Sequence, residues 1–335
     1  MNKILTVVIP TYNIENYINT CLDSFVIPEI LEELEVLIVN DGSQDRSGEL
    51  AEAYVRRYPQ TFRMIKKENG GHGSTINRGL SEALGKYFKV VDGDDWVERD
   101  AFVRLLDCLK TSDSDVVLSN YYWVKDKDGS RKAEFSEPFS GVIYGKEYRF
   151  SEISDKIFMK MHGITMRTEL LKGRIPPLDE HCFYVDMEYV LFPVPFIRTV
   201  TCIDAFVYMY RIGLPGQSMN MKRMQKNQEN YDRVLNRLFA FYEEQETKNA
   251  PGYVMVYLEN TIARMVASRF KIFLSFPYDK RIPGEMRRFD GNLFTKYPKI
   301  YDAVRNRAVL LLRRTDYRAY LAARLLFKIK EGLKK

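Results

Sequence analysis

Three carboxylates surround one glycine directly after a predicted buried strand. The strand is residues 87–91, and Asp92, Gly93, Asp94 and Asp95 follow it. Like charges at a strand end are unfavourable unless a cation or hydrogen-bond donors neutralise them. A hard divalent ion with oxygen ligands does this most simply, and Mg²⁺ and Mn²⁺ keep coordination positions open for phosphate oxygens. The segment therefore predicts a Mg²⁺ or Mn²⁺ site for a phosphorylated ligand, with an acidic helix-capping turn as the alternative.

The elements that must position these carboxylates alternate between strand and helix. Continuous apolar runs predict strands at residues 5–9, 36–39, 62–65, 87–91 and 115–120. Apolar residues at helical spacing predict helices at 15–25, 47–57, 70–84 and 101–109. This alternation is typical of a mostly parallel sheet that helices cover on both faces.

Polar segments follow four of the predicted strands. They are residues 10–13, 41–43, 70–73 and 92–95. Ligands of such sheets bind beyond the carboxyl ends of the strands. The sequence therefore predicts that the four segments converge on one site at one edge of the sheet.

The order and spacing of these segments resemble the family 2 glycosyltransferases. The residues that carry the resemblance are Val8 to Asn13, Val39 to Asp45, Asn69 to Gly71, and Asp92 to Asp95. It covers roughly residues 4 to 220. It implies the GT-A fold and an inverting, metal-dependent transfer of a sugar from a nucleotide-diphosphate donor, with UDP as the expected carrier.

The resemblance also assigns the donor and metal sites. Asp94 is the implied main metal ligand, and Asp92 lies near both the ribose and the metal. Thr11, Tyr12 and Asn13 supply a hydroxyl, an aromatic face and an amide, which suit a uracil-like ring. The implied nucleotide-sugar-binding residues are Pro10, Thr11, Tyr12, Asn13, Asp41, Gly70, Gly71, Asn77, Asp92, Gly93, Asp94, Arg211, Gln217 and Ser218.

Three of these assignments have a physical reason beside the resemblance. Asp41 could accept the imide N–H of the base, although the segment also reads as an ordinary turn. Arg211 offers a delocalised cation suited to phosphate. The glycines at 70, 71 and 73 allow backbone to approach a ligand at a helix N-terminus. His72 departs from the family's commoner residues, so capping and ligand contact both stay open for it.

An inverting transfer also needs a base for the acceptor hydroxyl. The resemblance places this role on Asp186, at the start of a predicted helix over residues 186–191. Val185 stands where the family usually has an acidic residue, and Asp186 could instead serve as a helix cap. The rival bases are Asp179, Glu180 and His181.

The chain is predicted to have two domains. Residues 1–218 form the catalytic domain, with a nucleotide-sugar half over about 1–125 and an acceptor half over about 126–218. Strands are expected at 164–166 and 200–210. Residues 219–335 are predicted to be helical, at 227–246, 253–276 and 300–330.

Basic charge is concentrated at the C-terminal end. From Arg264 to Lys335 there are 19 Lys and Arg residues and 6 Asp and Glu residues, so the preceding part is acidic. The helix predicted at 300–330 is amphipathic and basic. It either lies on an anionic membrane surface or packs on neighbouring helices with a solvated basic face. Nucleic acid is not expected as a partner, because no binding module is recognised.

Composition and termini favour a cytoplasmic protein, either free or peripheral on the inner face of the cell membrane. The chain begins almost directly with a predicted strand, which argues against a signal peptide. The four cysteines are far apart and lie among apolar neighbours, as expected of free thiols. The expected acceptor is a glycan or lipid-linked glycan of the bacterial cell surface. The alternatives are a sugar nucleotidyltransferase and a catalytically silent nucleotide-sugar-binding scaffold.

Overall fold

The computed structural model describes residues 3–134, 139, 141–214, 217 and 220–332. The chain forms two compact units, Met1–Pro215 and Gly216–Lys335. Ser218, where the sequence divides the domains and ends the predicted donor residues, lies outside the described residues. The predicted domain limits stay a prediction.

The first unit is built around one mixed sheet. Its strands are β1 (Leu5–Thr11), β2 (Leu34–Asn40), β3 (Phe62–Lys66), β4 (Tyr87–Val90), β5 (Trp96–Val97), β6 (Val116–Lys125), β7 (Arg131–Ala133), β8 (Glu147–Arg149), β9 (Ile164–Arg167) and β10 (Thr199–Ile212). The strand order is β3-β2-β1-β4-β9-β6-β10-β5, with β7 beside β6 and β8 beside β10. Neighbours are parallel from β3 to β4 and between β6 and β10.

The sheet departs from the predicted parallel order at its centre. Strand β9 lies between β4 and β6 and is antiparallel to both. Strands β5, β7 and β8 have two or three residues each and were not predicted, because such short segments carry no periodic signal.

The described residues of the first unit form seven helices: α1 (Ile18–Asp23), α2 (Ser47–Arg57), α3 (His72–Glu82), α4 (Arg99–Thr111), α5 (Phe150–Ile153), α6 (Thr168–Leu171) and α7 (Asp186–Leu191). Short 3₁₀ helices cover Pro28–Ile30, Met161–Gly163 and Val194–Phe196. All seven residues of β2 are buried, and Phe25 packs edge to face on Phe102 of α4 at 5.3 Å. This core fixes the strand ends that carry the polar segments.

The second unit is helical among its described residues. Its helices are α8 (Met221–Lys226), α9 (Gln228–Thr247), α10 (Gly252–Ser275), α11 (Ile282–Lys296), α12 (Pro298–Ala303), α13 (Arg307–Arg314) and α14 (Tyr320–Gly332). Within the described ranges, none of the helices is both long and apolar enough to cross a bilayer.

The prediction of a single helix over residues 300–330 is wrong, because the helix is interrupted twice. The side-chain Oδ1 of Asn306 accepts hydrogen bonds from the backbone of Ala308 and Val309 and so begins α13 anew. Asp316 and Tyr317 have φ of 48° and 63°, which ends α13 before α14 begins. Hydrophobic periodicity continues through both breaks, so the sequence pattern did not reveal them.

A lysine is buried in the central strand β4. Nζ of Lys89 donates to the carbonyl oxygens of His162 at 2.8 Å and Ile164 at 3.2 Å, which ties β4 to the segment before β9. Burial lowers the pKa of Lys89 to about 7, because no carboxylate compensates for the lost hydration. The lysine is therefore largely neutral in mildly alkaline solution.

We predict that Lys89 makes stability rise with pH above neutrality. The folded protein releases the Lys89 proton near pH 7, whereas the unfolded chain holds it until the ordinary lysine pKa. The unfolded state thus binds more protons in this window, and the free energy of unfolding increases with pH. Relative to Lys89→Met, the wild type should gain on the order of 2 kcal/mol between about pH 7 and about pH 9. Urea unfolding of both proteins measures this difference, and an unchanged difference would contradict the prediction.

Candidate functional site

The ends of three parallel strands bring the predicted polar segments together. Strand β1 lies between β2 and β4, and all three run in the same direction. Thr11 ends β1, Asn40 ends β2, and Asp92 follows β4 after one further residue. Backbone N–H of Asp41 donates to the carbonyl of Thr11 at 2.9 Å, which joins the first two ends directly.

The loop after β1 is held by the loop after β2. Asn13 has φ of 52°, and its Oδ1 accepts a hydrogen bond from Gln44 N at 2.8 Å. The Thr11 hydroxyl donates to the carbonyl of Ile9 and is buried, whereas Tyr12 is half exposed. Of the three residues predicted for the base, Thr11 is thus closed to a ligand, whereas Tyr12 and Asn13 are exposed.

Asp41 organises the glycine loop, which we define as residues 70–73. Its carboxylate accepts hydrogen bonds from the backbone N–H groups of Gly70 at 2.9 Å and Gly71 at 2.8 Å. It also accepts from Lys67 Nζ at 2.7 Å, and the side chain is buried. These donors use both oxygens of Asp41, while its contact with a nucleotide base stays a prediction.

The glycine loop supports another part of the chain, residues 178–182. His181 N donates to the carbonyl of Gly70 at 2.5 Å, and a Cβ on Gly71 would lie 3.2 Å from the same nitrogen. A Cβ on Gly73 would overlap the carbonyl oxygen of Asp179. The chain's own backbone thus fills space beside the glycines that the sequence assigned to a ligand, and phosphate contact at Gly70 and Gly71 stays a prediction.

Asn77 completes the attachment of this 178–182 segment. Its side chain on α3 accepts from Leu178 N at 2.8 Å and donates to Leu178 O at 2.9 Å. Asp179 N in turn donates to Glu188 of α7 at 2.8 Å. The predicted donor residue Asn77 therefore connects α3 to residues 178–182 through hydrogen bonds.

Residues 178–182 are followed closely by Asp186. His181 and Tyr184 have φ of 51° and 68°, a conformation that side-chain-bearing residues rarely adopt and that concentrates at functional sites. Asp186 then begins α7. Burial raises the pKa of Asp186, His72 opposes this, and Asp92 adds to it. Asp186 is thus close enough to His72 and Asp92 to interact with both electrostatically.

The acidic cluster, which we define as Asp92, Asp94 and Asp95, has three different environments. Asp92 Oδ1 lies 2.8 Å from His72 Nε2. Asp95 is fully buried and accepts from the Tyr208 hydroxyl at 2.6 Å and from Arg211 N at 2.7 Å. The Asp94 side chain has no salt bridge or side-chain hydrogen bond within the described residues.

The pKa shifts of these groups follow from their environments. Burial and then the charge of Asp92 raise the pKa of Asp94 to about 6. Burial alone would lower the pKa of His72, but the charge of Asp92 and the hydrogen bond to it raise it instead. Burial opposes ionisation of Asp92 as well, yet His72 outweighs it and lowers the pKa of Asp92. Burial, and then the charges of Asp94 and Asp92, raise the pKa of Asp95 well above its ordinary value despite its two hydrogen bonds. The ionised form is therefore disfavoured at both Asp94 and Asp95, whereas His72 favours it at Asp92.

A group that could hold a metal ion lies at the same place. Ligand atoms of Asp92, Asp95 and His162 all come within 4.8 Å of one another. Burial lowers the pKa of His162 to about 4, so this imidazole is neutral and able to coordinate. This group does not include Asp94, and Asp95 in it already accepts two hydrogen bonds. Carboxylate oxygens are the ligands that suit Mg²⁺ or Mn²⁺, and metal binding by Asp94 stays a prediction.

Arg211 contacts the backbone of the acidic cluster. Its Nε donates to the backbone carbonyl of Asp94 at 2.8 Å, and Nη1 lies 2.9 Å from Asp126 Oδ1. The guanidinium group lies over the rings of Trp96 and Tyr17 at 4.6 and 5.1 Å. These contacts position Arg211, while its contact with the donor diphosphate stays a prediction. Gln217, another residue predicted to bind the donor, belongs to the second unit.

Sequence reasoning missed His162 and the role of Tyr208. His162 follows a stretch where strand–helix alternation is lost, and a lone histidine there carries no signal. Tyr208 accepts from Asp92 N at 3.1 Å while donating to Asp95, so it bridges two carboxylate-bearing residues. Tyr208 lies in a strand with several aromatic residues, and nothing in the sequence distinguishes it from the others.

Comparisons with known proteins agree with this arrangement. The family model described as "Glycosyl transferase family 2" matches residues 6–173. A curated relative is the putative glycosyltransferase EpsH of Bacillus subtilis, 30% identical over 241 residues, covering 66% of this chain and 64% of that protein. The chain spans less than two thirds of the length of the first curated relatives it matches.

Solved structures of Staphylococcus aureus TarS are similar in fold. TarS residues 1–349 align with a TM-score of 0.63 at 20% identity, covering 98% of this chain and 92% of that chain. The complex of the same fragment with UDP-GlcNAc aligns with a TM-score of 0.54 at 19% identity, covering 93% and 92%. Likeness at this identity concerns the fold alone, and it confirms the predicted GT-A fold with a helical C-terminal region.

We predict that Gly73→Ala loosens the 178–182 segment. The new methyl group overlaps the Asp179 carbonyl oxygen, so either the segment or α3 must move, at about 1–3 kcal/mol of folding stability. Urea unfolding and hydrogen exchange of the His181 amide measure the two effects. The matched control is Gly291→Ala in α11, where no atom lies within 4 Å of the added Cβ. Unchanged protection of the His181 amide in Gly73→Ala would contradict the packing argument.

Proposed function

This chain belongs to glycosyl transferase family 2, and on that premise we propose that it is an inverting enzyme that uses a UDP-sugar. The observation that carries the proposal is that the glycine loop contacts both parts: His72 lies 2.8 Å from Asp92, and Gly70 accepts a hydrogen bond from His181, in the segment that leads to Asp186. The charge of Asp92 accordingly adds to the rise in the pKa of Asp186. A base for an acceptor and a set of oxygen ligands for a donor diphosphate would thus stand side by side.

The donor is proposed to be a UDP-sugar held at the ends of β1, β2 and β4. TarS, which shares the fold, has been solved with UDP-GlcNAc and with UDP, which supports a uridine carrier. Tyr12 is open to stack on the base, and Asn13 lies beside it in the same loop. Asp92 and Asp94 would hold Mg²⁺ or Mn²⁺, which when bound would neutralise the charge of the leaving diphosphate.

Asp186 is proposed to accept the proton of the acceptor hydroxyl. The hydroxyl oxygen forms its bond to the anomeric carbon while the bond from that carbon to the diphosphate oxygen breaks. The nucleoside diphosphate leaves with the bonding electron pair, and the proton stays on Asp186. A raised pKa makes Asp186 a stronger base than an ordinary aspartate.

The acceptor is proposed to be a glycan or lipid-linked glycan of cell-surface polysaccharide or wall glycan synthesis. We place the reaction in the cytoplasm, with peripheral contact to the cell membrane through the C-terminal basic helices. Such contact would bring the enzyme beside an acceptor anchored in the same bilayer.

The two alternative functions differ in what they require. A sugar nucleotidyltransferase expects glycine and lysine in the loop after β1, and residues 11–15 contain neither. The family match also favours glycosyl transfer. A catalytically silent scaffold requires that Asp186 serve only as the first residue of α7, which a variant can decide.

Metal-dependent nucleotide binding tests the donor site. UDP, GDP and dTDP are titrated calorimetrically into wild type and Asp94→Asn, with and without Mn²⁺. We expect UDP to bind at least tenfold more tightly with Mn²⁺, and Asp94→Asn to lose this gain. Without metal, Asp94→Asn should be as stable as wild type or more so, because it removes a poorly compensated buried charge. Metal-dependent binding that survives in Asp94→Asn would reassign the ligands to Asp92, Asp95 and His162.

Removing the proposed base tests catalysis separately from binding. Asp186→Asn keeps the shape of the side chain, so UDP affinity should change less than threefold, while kcat falls by about 10²–10⁴. The measurement is UDP release from UDP-sugars in the presence of wall glycan acceptors. Glu180→Gln is the matched control, because Glu180 is a rival base on the neighbouring segment. Loss of activity in Glu180→Gln but not in Asp186→Asn would move the base to Glu180.

A further inference from the structure

Helix α14 has apolar residues on the side that faces away from its own unit. Tyr320 and Ala323 are buried where α14 packs against α10. The other side of the helix carries four large aliphatic residues that are 51–61% exposed: Leu321, Leu325, Leu326 and Ile329. Leu321, Leu325 and Ile329 recur every four residues and so form one stripe along the helix. A solvent-facing helix side normally carries polar residues, so this stripe needs another environment.

Exposed cations lie close to this stripe along the chain. Arg314 ends α13, Arg318 lies in the turn before α14, and Lys328 lies in α14, and all three are exposed. No carboxylate lies within ion-pair distance of these three side chains in the described part of the chain. Inward-facing arginines differ: Arg313 forms a two-pronged pair with Asp290 at 2.8 and 2.9 Å. Arg314, Arg318 and Lys328 thus have no carboxylate partner among the described residues, and they are close in sequence to the exposed aliphatic residues.

An exposed tyrosine lies near the start of α14. Tyr278, in the loop between α10 and α11, is about half exposed, and its ring lies 6.5 Å from that of Tyr320 at the start of α14. Tyrosine is enriched where protein meets the boundary between lipid headgroups and acyl chains. Since no described helix can span a bilayer, such contact would be made from one side only.

We propose that the outer side of α14, with Arg314, Arg318 and Lys328, binds the surface of an anionic lipid bilayer. The aliphatic stripe enters the boundary of the acyl chains, and the cations pair with lipid phosphates. A second copy of the chain fits this surface less well. Symmetric pairing of α14 would bring like charges together, and one helix stripe offers little area compared with a stable dimer interface. Nucleic acid offers no environment for aliphatic side chains.

This proposal is independent of the donor site. It uses residues of the second unit alone, so it can fail while nucleotide binding stands, and it can hold even if the chain transfers no sugar. UDP titration of every variant below separates the two.

Vesicle sedimentation of the full chain tests the proposal. The vesicles are phosphatidylcholine alone, or phosphatidylcholine with about one third phosphatidylglycerol. We expect binding at least tenfold stronger to the anionic vesicles, and weaker in high salt. Leu321→Ser and Leu325→Ser should each weaken it about tenfold, and Arg314→Gln and Arg318→Gln about fivefold each. The matched control is Val256→Ser, which changes an equally exposed aliphatic residue of α10 and should leave binding unchanged.

Each other outcome would overturn the proposal. Equal binding to neutral and anionic vesicles removes the role of the cations. An equal loss in Val256→Ser removes the role of α14. A dimer that forms without lipid, and that Leu325→Ser abolishes, identifies a second copy as the occupant. Circular dichroism of each variant excludes unfolding as the cause, since all the changed side chains are exposed.

Discussion

The electrostatic cost of three carboxylates at the end of one buried strand is the constraint on which the site depends. Each carboxylate is treated differently by its surroundings. Asp92 is paired with His72, which lowers its pKa. Asp95 accepts hydrogen bonds from Tyr208 and the backbone of Arg211, yet burial and its two acidic neighbours raise its pKa well above the ordinary value. Burial and the charge of Asp92 raise the pKa of Asp94 to about 6. The protein thus compensates for the charge of Asp92 and disfavours the charged forms of the other two.

A second constraint joins this cluster to the proposed base. Asp41 fixes the glycine loop, the glycine loop supports residues 178–182, and that segment leads to Asp186. The chain of contacts runs through backbone groups at nearly every step. The position of Asp186 therefore depends on the absence of side chains at residues 71 and 73 as much as on any bond it makes.

The sequence predicted most of the fold of the first unit, because buried parallel strands and amphipathic helices have strong periodic signals. It predicted the strand ends that carry Thr11, Asp41 and Asp92 for the same reason. It did not predict the packing of residues 178–182 on the glycine loop, which joins parts of the chain a hundred residues apart. Tyr208 and Arg211 lie on β10 and reach the acidic cluster through the sheet order, which local patterns do not encode. The first break within 300–330 was missed because it depends on a hydrogen bond that the side chain of a single residue, Asn306, accepts from the backbone of Ala308.

The seating of residues 178–182 on the glycine loop also limits how such a protein can be recombined. A chimera that took residues 126–214 from a relative would bring in a new 178–182 segment with a different backbone path. That segment would have to pack beside Gly71, Gly73 and Asn77 of the original chain. Residues 70–77 and 178–188 should therefore be exchanged together, although they are distant in the chain. Such a chimera should fold most readily when both segments come from the same parent.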